Sequence, residues 1–240
     1  MRFNFKRFND LKEEDINFDF QMHTCWTDGK NTVQEMIEQS KKLGLKSIAL
    51  TEHVNYQTKW YNNFVKEIKK LREKKKYASL EIFIGAEIKP VDYKGSLGAS
   101  DFIINESEIV IGSIHRYPEE KGGFISLDKI PILGLERAAD IEFRLSIGLI
   151  KNKRIDVLGH PFGVYSKYFT GVPEDYLKEI MQTSLKNGVA VEINTKYNLG
   201  SEVFFKLLRE INPYVSIGSD AHSVDEIARG FEIIKKEISK

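Results

Sequence analysis

The sequence predicts an α/β fold: a barrel of about seven parallel strands wrapped by helices. Three observations carry this. Seven segments read as short apolar strands, each followed by a helical stretch or a long connection, with no composition shift that would mark a domain boundary. No Gly-x-Gly-x-x-Gly or P-loop follows the first strand, which removes the main nucleotide-binding version of an open sheet. Polar residues sit at the C-terminal end of every strand, where a barrel gathers its active residues. The 240 residues suffice for one core of barrel size, so a single domain over 1–240 is expected, with 1–16 as an N-terminal extension packed onto it.

The elements follow in order. Phe18–Met22 is the first strand, ending at His23, and Asp28-Gly29 marks a turn in the loop after it. Thr32 with Glu35 forms a capping box for the first helix. Its buried stripe is Val33, Met36, Ile37, Ser40 and Leu43, and Gly44 ends it. Ser47–Thr51 is the second strand, leading to Glu52-His53, and a helix over 62–76 ends in lysines that suit its dipole. Glu81–Ala86 is the third strand, ending at Glu87, and 90–100 reads as a long loop. Ile109–Ile114 is the fourth, ending at His115, and 117–135 reads as a flexible connection. A helix over 135–151 precedes the fifth strand, Ile155–Gly159, which ends at His160-Pro161. A Tyr-rich loop over 162–172 leads to a helix beginning at Pro173, the favoured first position. Val189–Ile193 is the sixth strand, carrying Glu192 and ending at Asn194. A helix over 202–211 leads to the seventh strand, from Val215 to Asp220 and His222, and an amphipathic helix over 224–238 closes the chain.

With 36 basic against 35 acidic residues, the net charge is +1, so neither nucleic acid nor an anionic membrane is expected as a partner. No apolar run is long enough to span a bilayer, and the mixed N-terminus lacks the apolar core of a signal peptide. The single cysteine, Cys25, has no internal disulfide partner. A reducing, cytoplasmic setting is expected. Nothing in the sequence bears on oligomeric state.

All five histidines, His23, His53, His115, His160 and His222, fall at or just past a strand end. One such histidine is often a core residue bonded to a backbone carbonyl. Five together point to a shared site. Asp28, Glu87, Glu192 and Asp220 bring carboxylates to the same rim. Imidazoles and carboxylates without thiolates suit Zn, Mn or Fe, and so many ligands imply two or three ions sharing a bridging carboxylate. Such clusters clamp phosphate and activate water.

Gln21-Met-His23-Thr, Leu50-Thr-Glu-His53, Gly85-Ala-Glu87, Gly112-Ser-Ile-His115, Leu158-Gly-His-Pro161 and Gly218-Ser-Asp-Ala-His222 resemble the ordered motifs of the PHP (polymerase and histidinol phosphatase) superfamily. The resemblance runs from residue 21 to 222 and implies a distorted (β/α)7 TIM-like barrel. It further implies a trinuclear metal site and a phosphoesterase that hydrolyses a small phosphate monoester. A domain of this length looks most like the histidinol-phosphatase branch, so histidine biosynthesis and histidinol phosphate are the leading expectations. Carried over, the pattern puts His23, Glu87 and Asp220 on one ion. Glu87 bridges to a second ion held by His115 and His160. His53 and His222 take a third, with Asp28 as acidic partner. A metal-bridging hydroxide is the implied nucleophile, and Glu87, Asp220 and His222 are the implied catalytic set.

One position departs from the family pattern, in which the first motif is His-x-His. Gln21 stands in place of the first histidine, as a weak neutral ligand, so the ion shared with His23 and Asp220 is expected to be weakly held. The alternative reading is a catalytically weakened metal-binding module with a regulatory role. For the substrate phosphate, Arg116, Lys196 and Lys89 are the candidate cations, with Asn194 beside them. Cys25 reads as a small buried filler, and Trp26, Tyr165 and Tyr168 as candidate pocket walls.

Overall fold

The structure, a computed structural model, describes residues 3–119 and 122–240. Met1 and Arg2 of the expected extension, and Glu120 and Lys121 of the expected flexible connection, lie outside them. Seven parallel strands follow one another in sequence order: β1 (Phe18–Asp19), β2 (Ser47–His53), β3 (Glu81–Ile88), β4 (Ile109–Gly112), β5 (Val157–Leu158), β6 (Ala190–Asn194) and β7 (Val215–Gly218). The ring is nearly closed between β7 and the chain just past β1. There the Phe20 N–H donates to Ile217 O at 2.9 Å, the Asp220 N–H to Gln21 O at 2.9 Å and the His23 N–H to Ala221 O at 2.8 Å.

Eight helices accompany the strands among the described residues: α1 (Val33–Lys42), α2 (Tyr61–Arg72), α3 (Asp101–Glu106), α4 (Ile130–Leu133), α5 (Leu135–Asn152), α6 (Glu174–Asn187), α7 (Glu202–Ile211) and α8 (Phe231–Ile238). None is long and apolar enough to cross a membrane. Residues of opposite parity on each strand build two cores. Ile48 and Leu50 of β2, or Ile82 and Ile84 of β3, face the helices. Ala49, Ile109, Ile111, Val157 and Ala190 fill the lower barrel interior with Phe20. Phe3 and Phe5 of the N-terminal segment join that cluster, the Phe3 ring lying 4.8 Å from Phe83.

Several expected boundaries move. The lysines expected at the end of the second helix lie beyond α2, which stops at Arg72. The expected loop 90–100 is followed by a short helix, α3, capped by the Ser100 hydroxyl. The last helix starts at Phe231, because Val224–Glu226 is a 3-10 turn and Ala228 has a φ of 56°. β1 ends at Asp19, well before Met22. Consecutive residues Phe20 and Gln21 both enter the barrel interior, so the side-chain alternation slips at that break. The slip is what turns Gln21 and His23 inward.

Candidate metal centre

Most of the strands deliver a polar side chain to the interior at or just past their upper ends. Alternation alone carries His53 on β2, Glu87 on β3 and His115 just past β4 to the interior, in register with Ala49, Phe83 and Ile111 four residues earlier. Two other ligand positions require a backbone turn. His160 and Asp220 have φ of 22° and 53°, a region non-glycine residues seldom adopt, and strain of this kind persists where surrounding structure enforces it.

Glu87 is the centre of the cluster, almost fully buried. Its Oε1 lies 3.0 Å from His160 Nε2, 3.1 Å from His115 Nε2 and 2.7 Å from Gln21 Nε2. Its Oε2 lies 2.9 Å from His53 Nδ1 and 3.5 Å from His23 Nε2. His23 Nε2 is also 3.4 Å from Asp220 Oδ1. Asp28 reaches in from the first loop, its Oδ2 3.5 Å from His53 Nε2 and 3.4 Å from His222 Nε2. Ligand atoms converge in two groups, His23 with Asp28, His53 and His222, and His53 with Glu87 and His115. His53 therefore belongs to both, where the sequence pattern joined it only to Asp28 and His222.

The electrostatics follow from this crowding. Burial would raise the Glu87 carboxyl, but the surrounding imidazoles, His115 and His53 first, hold it well below the usual carboxylate range. Burial opposes a charged His53, yet Glu87 and Asp28 outweigh it and push that ring up to about 10. Hydrogen bonds to His222 and His53 keep Asp28 ionised.

The donor set fits a divalent ion. Both ring nitrogens of fully buried His23, Nδ1 of His160 and Oε2 of Glu87 make no hydrogen bond within the protein, and buried polar atoms are seldom left so. His222 Nδ1–H donates to the Asp220 carbonyl at 2.8 Å, which leaves the Nε2 lone pair for a ligand role.

Above the cluster is a cavity of about 430 Å³, lined by Lys89, Arg116, Lys167, Lys196, Tyr197, Asn55 and Leu127 besides the ligand residues. Arg116 and Lys196 both line this cavity, with Lys196 Nζ 3.5 Å from Asp220 Oδ2. Asn194 lies beneath the floor: it is fully buried and its amide is engaged by Gln21 and Glu192. Glu192 accepts the His160 N–H at 2.8 Å, which helps hold that strained residue, and burial pushes its carboxyl up to about 8.

The first-loop aromatics and Cys25 differ from expectation. Cys25 is exposed, because the loop that carries it turns outward at that position. Trp26 stacks on Trp60 at 5.5 Å and donates to Glu67, so it anchors the loop to α2 and forms no pocket wall. Tyr165 and Tyr168 do not line the cavity; Tyr197, whose ring lies 4.7 Å from that of His160, does. Tyr197 and Lys167 carried no motif signal, since loop residues reach a pocket only through tertiary placement. Glu52, next to His53 at the end of β2, supports the site from behind. It accepts from Thr24 N at 2.8 Å, Thr24 Oγ1 at 2.6 Å and the Thr27 hydroxyl, and so orders the loop that presents Asp28.

A second buried acid braces the loops on the other side. Glu142 of α5 accepts the Tyr117 hydroxyl at 2.8 Å and the Tyr165 N–H, tying together the segments after His115 and His160. Burial pushes its carboxyl from the ordinary 4.5 up to about 7. The folded state thus holds this proton more tightly than the unfolded chain. The stabilisation is complete below pH 4.5 and is lost as pH rises through 7, by about 3 kcal/mol at most. Gln at this position stays neutral and can accept both hydrogen bonds. Denaturant unfolding from pH 4.5 to 8 is expected to show Glu142→Gln lacking that decline, and parallel curves for the two proteins would exclude a protonated Glu142.

The PHP domain model matches residues 19–196. That span stops short of β7, so Asp220 and His222 join the site through the geometry above. The chain is 28% identical to a probable histidinol-phosphatase of Clostridium acetobutylicum over 236 residues, covering 90% of each. It is 27% identical to a probable phosphatase of Caldicellulosiruptor saccharolyticus over 213 residues, 83% of this chain and 77% of that one. In three dimensions it resembles the histidinol phosphate phosphatase of Lactococcus lactis, a structure complexed with zinc, L-histidinol and phosphate. The TM-score is 0.70 at 18% identity, over 92% of this chain and 93% of that one, a likeness of fold. With a near-closed barrel of seven parallel strands and three quarters of its length inside the family match, the chain belongs to the PHP domain family.

Proposed function

We propose that the chain is a metal-dependent phosphatase acting on a small phosphate monoester, with histidinol phosphate the leading candidate. The observation that carries this is the Glu87-centred cluster of imidazoles and carboxylates, with unbonded buried ring nitrogens, beneath a cavity lined by four cationic side chains. The names of the relatives support the same reading.

His23, Asp28, His53, Glu87, His115, His160, Asp220 and His222 would hold two or three divalent ions. Zn, Mn and Fe suit this donor set. Such ions, when bound, place positive charge against the phosphoryl oxygens and make water a competent nucleophile near neutral pH. Glu87, Asp220 and His222 line the cavity and fix the geometry of the reacting groups from below. From the walls, Arg116 and Lys196 bind the non-bridging oxygens, with Lys89 and Lys167 beside them. Asp28 on the open side completes the rim.

The test is phosphate release from a panel of monoesters with Mn²⁺ or Zn²⁺ present. Activity on at least one small monoester is expected. Arg116→Ala should raise KM by about 10-fold or more, the worth of one charged hydrogen bond. Tight metal binding without hydrolysis of any panel member would favour the catalytically weakened regulatory module.

A further inference from the structure

The amide of Gln21 has a polarity that can be deduced from its neighbours. Lys196 N–H donates to Asn194 Oδ1 at 2.9 Å. A backbone N–H is always a donor, so the facing Asn194 atom is its oxygen and the other end of that amide is NH₂. The Asn194 NH₂ then donates to Gln21 Oε1 at 2.9 Å and to Glu192 Oε2 at 3.1 Å. Gln21 must therefore turn its own NH₂ the other way, and there it meets Glu87 Oε1 at 2.7 Å. That contact has the Gln21 N–H donating to a carboxylate oxygen of Glu87. Both ends of the chain of hydrogen bonds demand the same orientation. All three side chains are buried, so water cannot substitute for a link.

From this we infer that Gln21 is a positioning residue for Glu87 and not a metal ligand. It stands where the family pattern has a histidine, but its oxygen is committed to Asn194 and its N–H to the carboxylate at the heart of the cluster. Asn194 is thereby a positioning residue one step further out, with no contact to substrate. Glu87 keeps Oε1 anchored by Gln21, while Oε2 is turned toward His53 and His23. The inference rests on the metal-centre reading above and changes one expectation within it. Replacing Gln21 should loosen the centre without removing a ligand.

The experiment is Mn²⁺ binding, by calorimetry and by metal content after desalting, on the wild-type chain, Gln21→Met, Asn194→Ala and the double variant. Circular dichroism and thermal unfolding confirm that each is folded. Wild-type stoichiometry is expected to persist in every variant. Each single change should weaken Mn²⁺ binding by about 10-fold or more, the usual cost of losing a group that orients a ligand. The double variant should be little weaker than either single one, because both break the same relay. Loss of one Mn²⁺ equivalent in Gln21→Met overturns the inference, since it would make Gln21 a ligand. Unchanged affinity in Asn194→Ala overturns it too, because a ligating Gln21 would not depend on Asn194. A wild-type chain that binds no Mn²⁺ or Zn²⁺ fails the metal centre itself. A crystal structure of the Mn²⁺-loaded wild type decides the point without variants. Gln21 Nε2 should stay in hydrogen-bond contact with Glu87 and Oε1 should touch no ion; an Oε1–Mn bond reverses the assignment.

Discussion

Glu87→Ala is expected to abolish tight binding of at least one metal ion and to cut kcat/KM for a phosphate monoester by about 10³-fold or more. The reason is the number of groups that meet at this carboxylate. His160, His115, His53, His23 and Gln21 all lie within 3.5 Å of one of its oxygens. Without it the imidazoles face one another, His115 and His160 already being 3.3 Å apart, with no negative charge to gather a cation. Stabilisation of transition-state charge by bound ions is worth several kcal/mol. Losing about 4 kcal/mol corresponds to about three orders of magnitude in rate. The check is metal content by mass spectrometry alongside steady-state kinetics at saturating Mn²⁺. Removing the carboxylate leaves the buried Gln21 N–H and the His53 ring without their acceptor, so thermal unfolding is measured alongside to establish that the variant is folded. Wild-type metal content together with wild-type kcat/KM would sink the assignment of Glu87 as the bridging ligand.

The second large effect is on stability, from Gly218→Ala. Gly218 ends β7 facing the interior, and an added Cβ would overlap Glu192 Oε1 and lie 2.7 Å from Gln21 Cβ. Neither neighbour can yield easily. Glu192 holds the His160 N–H and the Asn194 amide, and Gln21 is fixed between Asn194 and Glu87. Overpacking plus one broken buried hydrogen bond should cost about 2–4 kcal/mol. Metal affinity should fall with it, since the displaced groups orient His160 and Glu87. Gly188→Ala is the comparison: that Cβ would meet nothing within 4 Å, and only the positive φ of 68° is strained. Denaturant midpoints and Mn²⁺ titrations of the two variants test the claim. If the two changes cost the same and neither moves Mn²⁺ affinity, steric contact at Gly218 is unimportant.

The strand order and most of the site were legible because both depend on local patterns. An apolar strand that ends in a polar residue shows in a short window, and repetition made it a barrel. His53, Glu87 and His115 could be placed on the interior by parity alone. His160 and Asp220 could be placed at strand ends, but not aimed, because their direction depends on a positive φ that no pattern reveals. Asn194 shares parity with Glu192, so the two side chains lie on one face of β6. Whether it touched substrate or supported the floor depended on Gln21, 173 residues away.

Residues that act through loops were the least visible. Tyr197 and Lys167 join the cavity wall only because two loops fold over the same rim. Glu52 faces away from His53, and its role depends on where Thr24 and Thr27 lie. Cys25 and Trp26 sit three residues or fewer from His23, yet the loop turns one to solvent and the other onto α2.

By itself the sequence determined the β/α alternation, the candidate ligand types and their positions at strand ends, since these follow from side-chain chemistry and the two-residue repeat of a strand. Only the tertiary structure decided how Gln21 is used. Its sequence position invites a ligand, but an amide has two chemically different ends. Which end meets Glu87 is set by a hydrogen-bond chain that begins at the backbone of Lys196, in the turn just past β6, which only closure of the barrel brings beside Gln21.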